Sequence, residues 1–221
     1  MTRTVIIGGH GKVALLAAPL LAEAGHDVIS IIRNPEHAAE VEAAGAAPLV
    51  LDVERAGEED LVQAFRDADN VVFSAGAGGG DPARTRAVDH DAALATMRAA
   101  EAAGVRRYVM VSYLGASLHH GVPEDDSFHA YAQAKAEADE ALRDSGLAWT
   151  ILGPAALTLE EPTGRITVDP DLDAPDAPKG EVSRGNVARA IVAVLADPTT
   201  VGRKIDFVDG DTPVAEAIRG A

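Results

Sequence analysis

The chain is predicted to fold as an α/β protein with a doubly wound parallel sheet. Short apolar runs alternate with segments of helical length, a glycine turn follows the first run, and at least five such units succeed one another within 221 residues. Runs that are apolar on both faces are typical of parallel strands covered by helices. A single domain is large enough to hold these units.

The first unit carries the most specific pattern. The run 5–7 predicts a buried strand, and Gly8, Gly11 and Ala14 follow as G-x-x-G-x-x-A before a helix over 13–24. Small residues at this spacing permit a tight turn, close approach of a pyrophosphate to the backbone, and close packing of helix on strand. The N–H groups of that helix would face the phosphates, where the helix dipole favours negative charge. The pattern therefore predicts a dinucleotide site.

Arg33 follows the second predicted strand, 27–32. It lies about 20 residues past the glycines, where dinucleotide folds contact the adenosine ribose. An acidic residue there would accept the 2′-hydroxyl of NAD, whereas a guanidinium suits the 2′-phosphate of NADP. The alternative is an exposed loop arginine. We predict NADP as the coenzyme, with NAD less favoured.

The third and fourth units offer further coenzyme contacts. A helix over 36–44 leads to a strand over 48–51 that ends at Asp52, which could receive the adenine amino group or simply hold a turn. After a helix over 58–68 and a strand over 70–74, the segment 75–80 consists of Gly and Ala alone. Such a chain can lie very close to a ligand or form a mobile loop.

The fifth and sixth units suggest chemistry. After a helix over 85–103, the strand 107–111 ends at Ser112. The next helix, 128–145, places Tyr131 and Lys135 at i and i+4 on one face, and a strand over 149–152 follows it. An ammonium one turn from a tyrosine would lower the tyrosine pKa and favour proton transfer to a carbonyl oxygen. Ser112 could donate a hydrogen bond to the developing oxyanion. The alternative is a surface pair without function.

The last third of the chain departs from the repeating pattern. Residues 155–182 contain several prolines and acids and predict a small irregular excursion on the substrate side, with a strand-like piece over 165–168. Ser183 should then cap a helix to 195, followed by a strand over 204–208 and a short helix over 214–219. The adjacent His119 and His120 could bind a metal, but no third ligand accompanies them, so no metal site is predicted.

Composition excludes several classes of protein. The formal net charge of −16 argues against nucleic acid or an anionic membrane as a partner. The chain has no cysteine, which excludes disulfides, and no apolar run of transmembrane length. Because the first predicted strand begins almost at Met1, we expect no signal peptide. We expect a cytoplasmic protein, a monomer or homodimer, with an unidentified small-molecule substrate.

Taken together, the motifs resemble the short-chain dehydrogenase/reductase superfamily of Rossmann-fold proteins. The likeness is greatest to its atypical branch of NAD(P)-binding proteins, which includes the biliverdin/flavin reductase-like and NmrA-like groups. It covers nearly the whole chain. The matching segments are 8–14, 33–35, 111–116, Tyr131 with Lys135, 145–154 and 183–188.

Transferred by position, the resemblance implies a coenzyme site that runs from the glycine turn to the end of the sixth strand. Its residues are Gly8, His10, Gly11, Lys12 and Val13 at the pyrophosphate, Arg33 at the 2′-phosphate, Asp52 and Val53 at the adenine, Ser74, Ala75 and Gly76 at the adenine-side ribose, Lys135 at the nicotinamide ribose, and Pro154 and Ala155 at the nicotinamide ring.

The resemblance also implies a catalytic set of Tyr131, Lys135 and Ser112. Where many relatives have a second serine this chain has Tyr113, so Ser112, Tyr113 or Ser117 remains open as the assisting hydroxyl. The expected function is NADP(H)-dependent hydride transfer to a small carbonyl, quinone or flavin-like acceptor. A non-catalytic NmrA-like sensor of NADP is the alternative, and an NADP-dependent epimerase or dehydratase is a weaker one.

Overall fold

Seven parallel strands form the centre of the computed structural model, which describes residues 1–78, 81–168 and 180–220. The predicted doubly wound α/β fold is confirmed. The strands of the described part are β1 (Thr2–Ile7), β2 (His26–Ile32), β3 (Ala47–Val50), β4 (Asn70–Phe73), β5 (Arg107–Val111), β6 (Ala148–Pro154), β7 (Ala156–Thr158), β8 (Arg165–Val168), β9 (Glu181–Ser183), β10 (Arg203–Asp209) and β11 (Thr212–Pro213).

Helices cover both faces of this sheet. They are α1 (Lys12–Glu23), α2 (Ala38–Ala43), α3 (Glu58–Ala64), α4 (Pro82–Thr85), α5 (Ala93–Ala103), α6 (His129–Arg143), α7 (Arg184–Ala196) and α8 (Val214–Gly220). The helix predicted over 85–103 is built from α4, a π-helical turn at Arg86–Ala92, and α5. Within the described residues, no helix is long and apolar enough to cross a bilayer.

The order of the strands creates a crevice at one edge of the sheet. The sheet runs β3-β2-β1-β4-β5-β6-β10, and chain direction across it reverses between β1 and β4. All seven strands are parallel, so their carboxyl ends lie at the same edge. Ligands of such sheets bind beside this reversal.

Alternating side chains of the strands build a core on each face. Ile6 packs in a cluster with α1 and α7, whereas Val5 and Ile7 pack in a second cluster with α3 and α5. This alternation explains why residues 5–7 of the first strand are all apolar. The packing of the strands against the helices sets where each strand ends, and therefore where the residues that follow each strand lie.

The described parts of the segment 155–182, residues 155–168 and 180–182, are more regular than predicted. β7 and β9 pair with each other in a small parallel sheet, and β8 joins the main sheet by antiparallel pairing with β10 and β11. The strand predicted over 165–168 is therefore confirmed, and it extends the sheet. The rest of the predicted excursion, 169–179, lies outside the described residues, as do 79–80 of the glycine segment.

Candidate functional site

A cleft of about 310 Å³ lies at the carboxyl ends of β1, β2 and β4, where the strand order reverses. Nine of the fourteen predicted coenzyme residues line it: Gly8, His10, Gly11, Arg33, Asp52, Val53, Ser74, Ala75 and Gly76. These residues follow the ends of four strands, β1 to β4, and are remote from one another in sequence. The cleft therefore corresponds to the adenosine and pyrophosphate half of the predicted site.

The glycine turn between β1 and α1 has the geometry that close approach of a ligand requires. Gly8 has a φ of +79°, and a β-carbon there would lie 2.6 Å from the α-carbon of Ala75. Gly9, which the sequence pattern did not single out, is equally confined, since its β-carbon would lie 2.4 Å from that of Ser30. The N-cap of α1 is Gly11, which has no side chain. The N–H groups of the first helical turn thus remain suited to an anion, and these residues fit a dinucleotide pyrophosphate.

Two predicted residues continue from this turn into α1. Lys12 is exposed, whereas the side chain of Val13 is buried in the core. His10 stacks on His37, with ring centroids 3.6 Å apart, and its Nε2 lies 2.9 Å from Glu40 Oε2. His37 also lines the cleft and was not predicted. The position of His37, four residues after Arg33 in the sequence, could have indicated it.

Arg33 lines the cleft, as the predicted contact with the 2′-phosphate requires, but its guanidinium is paired with the carboxylate of Glu54. Its Nη1 donates to Glu54 Oε1 over 2.8 Å. Asp52 uses one carboxylate oxygen, Oδ1, to accept the N–H of Glu54 over 3.1 Å, so the turn role considered for this residue is present. Glu54 also lines the cleft and was not predicted.

The loop after β4 is anchored from behind by a buried carboxylate. Ala77 donates its N–H to Asp89 Oδ2 over 3.0 Å, and Asp89 belongs to the π-helical turn. Burial raises the pKa of Asp89, while the charge of Lys135 and the N–H of Ala77 oppose that rise. Asp89 thereby connects the adenosine side of the site to the predicted catalytic residues. Such π-turns are frequent at functional sites.

Lys135 is fully buried at the carboxyl end of β5. Its Nζ donates to the carbonyl oxygen of Val111 over 2.8 Å and lies 5.7 Å from the centroid of the Phe73 ring. Burial lowers the pKa of this ammonium, and the charges of Asp139 and Asp89 counteract the lowering. An ammonium held in this way is a fixed charge beside the strand ends.

The expected lowering of the Tyr131 pKa is wrong. Burial raises the pKa of Tyr131, and the negative charge of Asp89 raises it further. The reason is that the tyrosinate would lie in a poorly solvated place close to carboxylates, which disfavour a second negative charge. Tyr131 is therefore held in its protonated form.

Ser112 is buried at the end of β5, where it was predicted, and its hydroxyl is already used. Ser112 Oγ donates to Asp139 Oδ2 over 2.7 Å. Burial raises the pKa of Asp139 to about 6, although Lys135 and Ser112 both oppose the rise. Asp139 was not predicted. Its spacing of four residues from Lys135 on α6 is the signal that could have found it.

Tyr113, one of the alternative hydroxyls, lies in an aromatic cluster with Phe128 and Tyr131. The ring centroids are 5.3 to 5.6 Å apart. Burial, together with the charges of Asp139 and Asp206, raises the pKa of Tyr113 to about 12. The Tyr113 hydroxyl is buried and has no hydrogen-bond partner among the described residues. Phe128 is exposed, so the cluster presents an aromatic face to solvent.

Pro154 and Ala155 lie at the end of β6 and are buried. The preceding Gly153 pairs with Asp206 of β10, and a β-carbon there would lie 1.7 Å from Asp206 Oδ1. The space beside this strand end is occupied by Asp206, which explains why no side chain is present.

The histidine pair in the loop before α6 has structural contacts. His120 accepts the N–H of Val122 at Nδ1 over 3.0 Å, and its Nε2 lies 3.2 Å from Gln133 Oε1. In the part of the chain that the structure describes, no group of three or more His, Asp or Glu side chains is arranged to hold a metal ion.

Comparison with known proteins places these features in a wider group. A family model described as NAD(P)H-binding matches residues 8–198. YhfK from Bacillus subtilis, named as an uncharacterized sugar epimerase, is 34% identical over 219 residues, which cover 98% of this chain and 99% of that protein.

Solved structures agree over the same length. A protein from Bacillus halodurans that carries the name of an NAD-dependent epimerase/dehydratase superposes with a TM-score of 0.90 at 31% identity, and both chains are covered completely. The oxidoreductase ylbE from Lactococcus lactis superposes with a TM-score of 0.85 at 25% identity, covering 99% of this chain and 96% of that one. The similarity thus includes both the cleft and the helix of Tyr131 and Lys135.

Proposed function

Because the chain belongs to the NAD(P)H-binding family, we propose that it is an NADP(H)-dependent oxidoreductase that passes hydride to a small carbonyl, quinone or flavin-like acceptor. One observation carries this proposal. The coenzyme cleft and the buried Lys135, next to Tyr131, lie at the same edge of one sheet. A coenzyme that extends along this edge from the cleft would bring its nicotinamide to Tyr131.

NADP is favoured over NAD by the guanidinium at the mouth of the cleft. Arg33 leaves the end of β2, and about half of its side chain is exposed, so it can reach a phosphate. Planar guanidinium groups bind phosphate oxygens in pairs. Arg84 also lines this cleft and adds a second positive charge.

The protonation state of Tyr131 favours reduction of the acceptor. When bound, the reduced coenzyme would supply a hydride to the acceptor, which a carbonyl receives at its carbon. Where the acceptor is a carbonyl, Tyr131 donates its phenolic proton to the acceptor oxygen. Burial holds Tyr131 in the protonated form, and the raised pKa makes it a weaker acid than an ordinary tyrosine. Lys135 lies one helical turn from Tyr131, and its ammonium is held by the carbonyl oxygen of Val111. The proton is then replaced from solvent.

The aromatic cluster supports a flat, apolar acceptor. Tyr113, Phe128 and Tyr131 together offer ring faces beside the proton donor, and aromatic rings stack well on planar conjugated molecules. Pro154 and Ala155, the residues proposed to lie near the nicotinamide, add no charge there. These contacts suit a quinone or flavin-like ring better than a charged sugar.

Two alternatives have specific observations in their favour. Ser112 donates to Asp139 and is not free to assist an acceptor. This favours an NmrA-like sensor that binds NADP without turnover. The names of two relatives mention epimerases. An epimerase of this type starts with a tyrosinate that removes a proton, and the raised pKa of Tyr131 opposes that step.

Turnover with a panel of acceptors distinguishes these proposals. Purified protein should oxidise NADPH when a quinone, a flavin or an aldehyde is added. Tyr131→Phe should slow carbonyl turnover about 100-fold or more, because the proton donor is lost. Tyr108→Phe is the control, because the Tyr108 hydroxyl pairs with Thr96 outside the aromatic cluster, and this variant should retain activity within about tenfold. Tight NADPH binding without oxidation by any acceptor would favour the sensor.

A further inference from the structure

The end of the cleft predicted to bind adenosine contains the carboxylate of Glu54 as well as the predicted guanidinium of Arg33. Arg33 Nη1 and Glu54 Oε1 lie 2.8 Å apart, and both side chains line the cleft. Arg33 follows β2 and Glu54 follows β3, so the pair bridges two neighbouring strand ends. A nucleotide that enters this end of the cleft meets both charges.

The turn that carries Glu54 is fixed by its own hydrogen bonds. Asp52 Oδ1 accepts the N–H of Glu54, and the carbonyl oxygen of Asp52 accepts the N–H groups of Arg55 and Ala56. The Glu54 side chain is 23% exposed, whereas that of Arg33 is 53% exposed. Glu54 is therefore the more firmly placed partner, and Arg33 is the one that can move.

The two ends of this ion pair suit different coenzymes. A carboxylate beside the adenosine ribose accepts the 2′-hydroxyl of NAD, and a guanidinium binds the 2′-phosphate of NADP. While Arg33 is paired, a 2′-phosphate must displace Glu54 and then lie close to its negative charge. A half-exposed ion pair contributes little to folding stability, so stability alone is a weak reason for the pair.

We propose that Glu54 is a second coenzyme-selecting residue, which accepts the 2′-hydroxyl of NAD(H) and competes with the 2′-phosphate of NADP(H) for Arg33. The chain accordingly accepts both coenzymes, with a smaller preference for NADP than Arg33 alone would give. This inference rests on the proposed coenzyme site and does not depend on which acceptor is reduced.

Direct binding titrations test the proposal without turnover. The ligands are NADPH and NADH, together with their adenosine fragments 2′,5′-ADP and 5′-AMP, which isolate this end of the cleft. In Glu54→Gln, NADPH and 2′,5′-ADP should bind about three- to tenfold more tightly, because a competing ion pair and a repulsive charge are removed. NADH and 5′-AMP should bind about threefold more weakly.

Two controls separate a local contact from a general charge effect. Glu40→Gln removes the same charge near the same cleft, but Glu40 contacts His10, so the ratio of NADPH to NADH affinity should stay constant. In an Arg33→Ala background, Glu54→Gln should tighten NADPH binding less than it does in the wild-type background, because only the repulsive charge is then removed. An unchanged ratio in Glu54→Gln, or an equal change of the ratio in Glu40→Gln, would overturn the inference.

The same titrations keep this inference apart from the proposed function. If the wild-type chain binds neither coenzyme, the proposed coenzyme site itself is wrong, and the role of Glu54 is wrong with it. If both coenzymes bind but no acceptor is reduced, the oxidoreductase proposal fails, while the affinity ratio still supports or overturns the role of Glu54.

Discussion

Replacing Asp139 with asparagine should change how the stability of the protein depends on pH. Burial raises the pKa of this carboxyl from 3.8 to about 6 in the folded protein. Between these values the folded state binds more protons than the unfolded state, so the free energy of unfolding falls as pH rises. Above the folded pKa the full penalty is about 3 kcal/mol, and about 1 kcal/mol of it develops between about pH 5 and about pH 8.

Urea unfolding of wild-type protein and Asp139→Asn at these two pH values measures this penalty. The variant lacks the titrating group and should not lose this stability. The difference in free energy of unfolding, variant minus wild type, should therefore increase by about 1 kcal/mol from the lower to the higher pH. Asp144→Asn makes the same chemical change at the exposed end of α6 and should not alter the pH dependence. Parallel pH profiles for wild type and Asp139→Asn would refute the reasoning.

Two further predictions concern opposite edges of the sheet. Gly9→Ala should weaken coenzyme binding at least about tenfold in a titration, because its β-carbon would lie 2.4 Å from a side chain on β2 and shift the glycine turn. Gly57→Ala, at a position with space for a β-carbon, should bind the coenzyme as wild type does. Equal affinities of the two variants would contradict this prediction. Arg107→Met should lower the free energy of unfolding by about 2–4 kcal/mol, because the buried guanidinium donates to four acceptors, two on β6, one on α7 and one in the turn that follows α7. Its coenzyme affinity should be unchanged, and a loss of affinity in folded protein would count against placing the site at the other edge.

The sequence was sufficient to predict those features that depend on local pattern. The apolar run of β1, the glycine turn and the helix cap at Ser183 are each encoded within a few residues, and Ser183 Oγ does accept the N–H of Asn186. The position of Arg33 could also be predicted, because its distance from the glycines is set by the length of one β–α unit.

Features that depend on contacts between remote segments could not be predicted. Glu54 becomes the partner of Arg33 only because β3 lies beside β2, and Asp139 reaches Ser112 only because α6 packs over the end of β5. The predicted direction of the Tyr131 pKa shift was wrong for the same reason. The helix spacing indicated Lys135 as a neighbour but gave no sign of burial or of Asp89, which lies in a separate helical segment.

The central claim is that the chain uses NADPH to reduce an acceptor, and that Arg33 selects this coenzyme. The most direct test is kcat/KM for NADPH and NADH with the best acceptor, in wild type and in Arg33→Ala. We predict that wild type prefers NADPH. We also predict that Arg33→Ala loses about 30-fold or more of kcat/KM with NADPH and less than about threefold with NADH. Equal losses with the two coenzymes, or no oxidation of NADPH by any acceptor, would contradict the account.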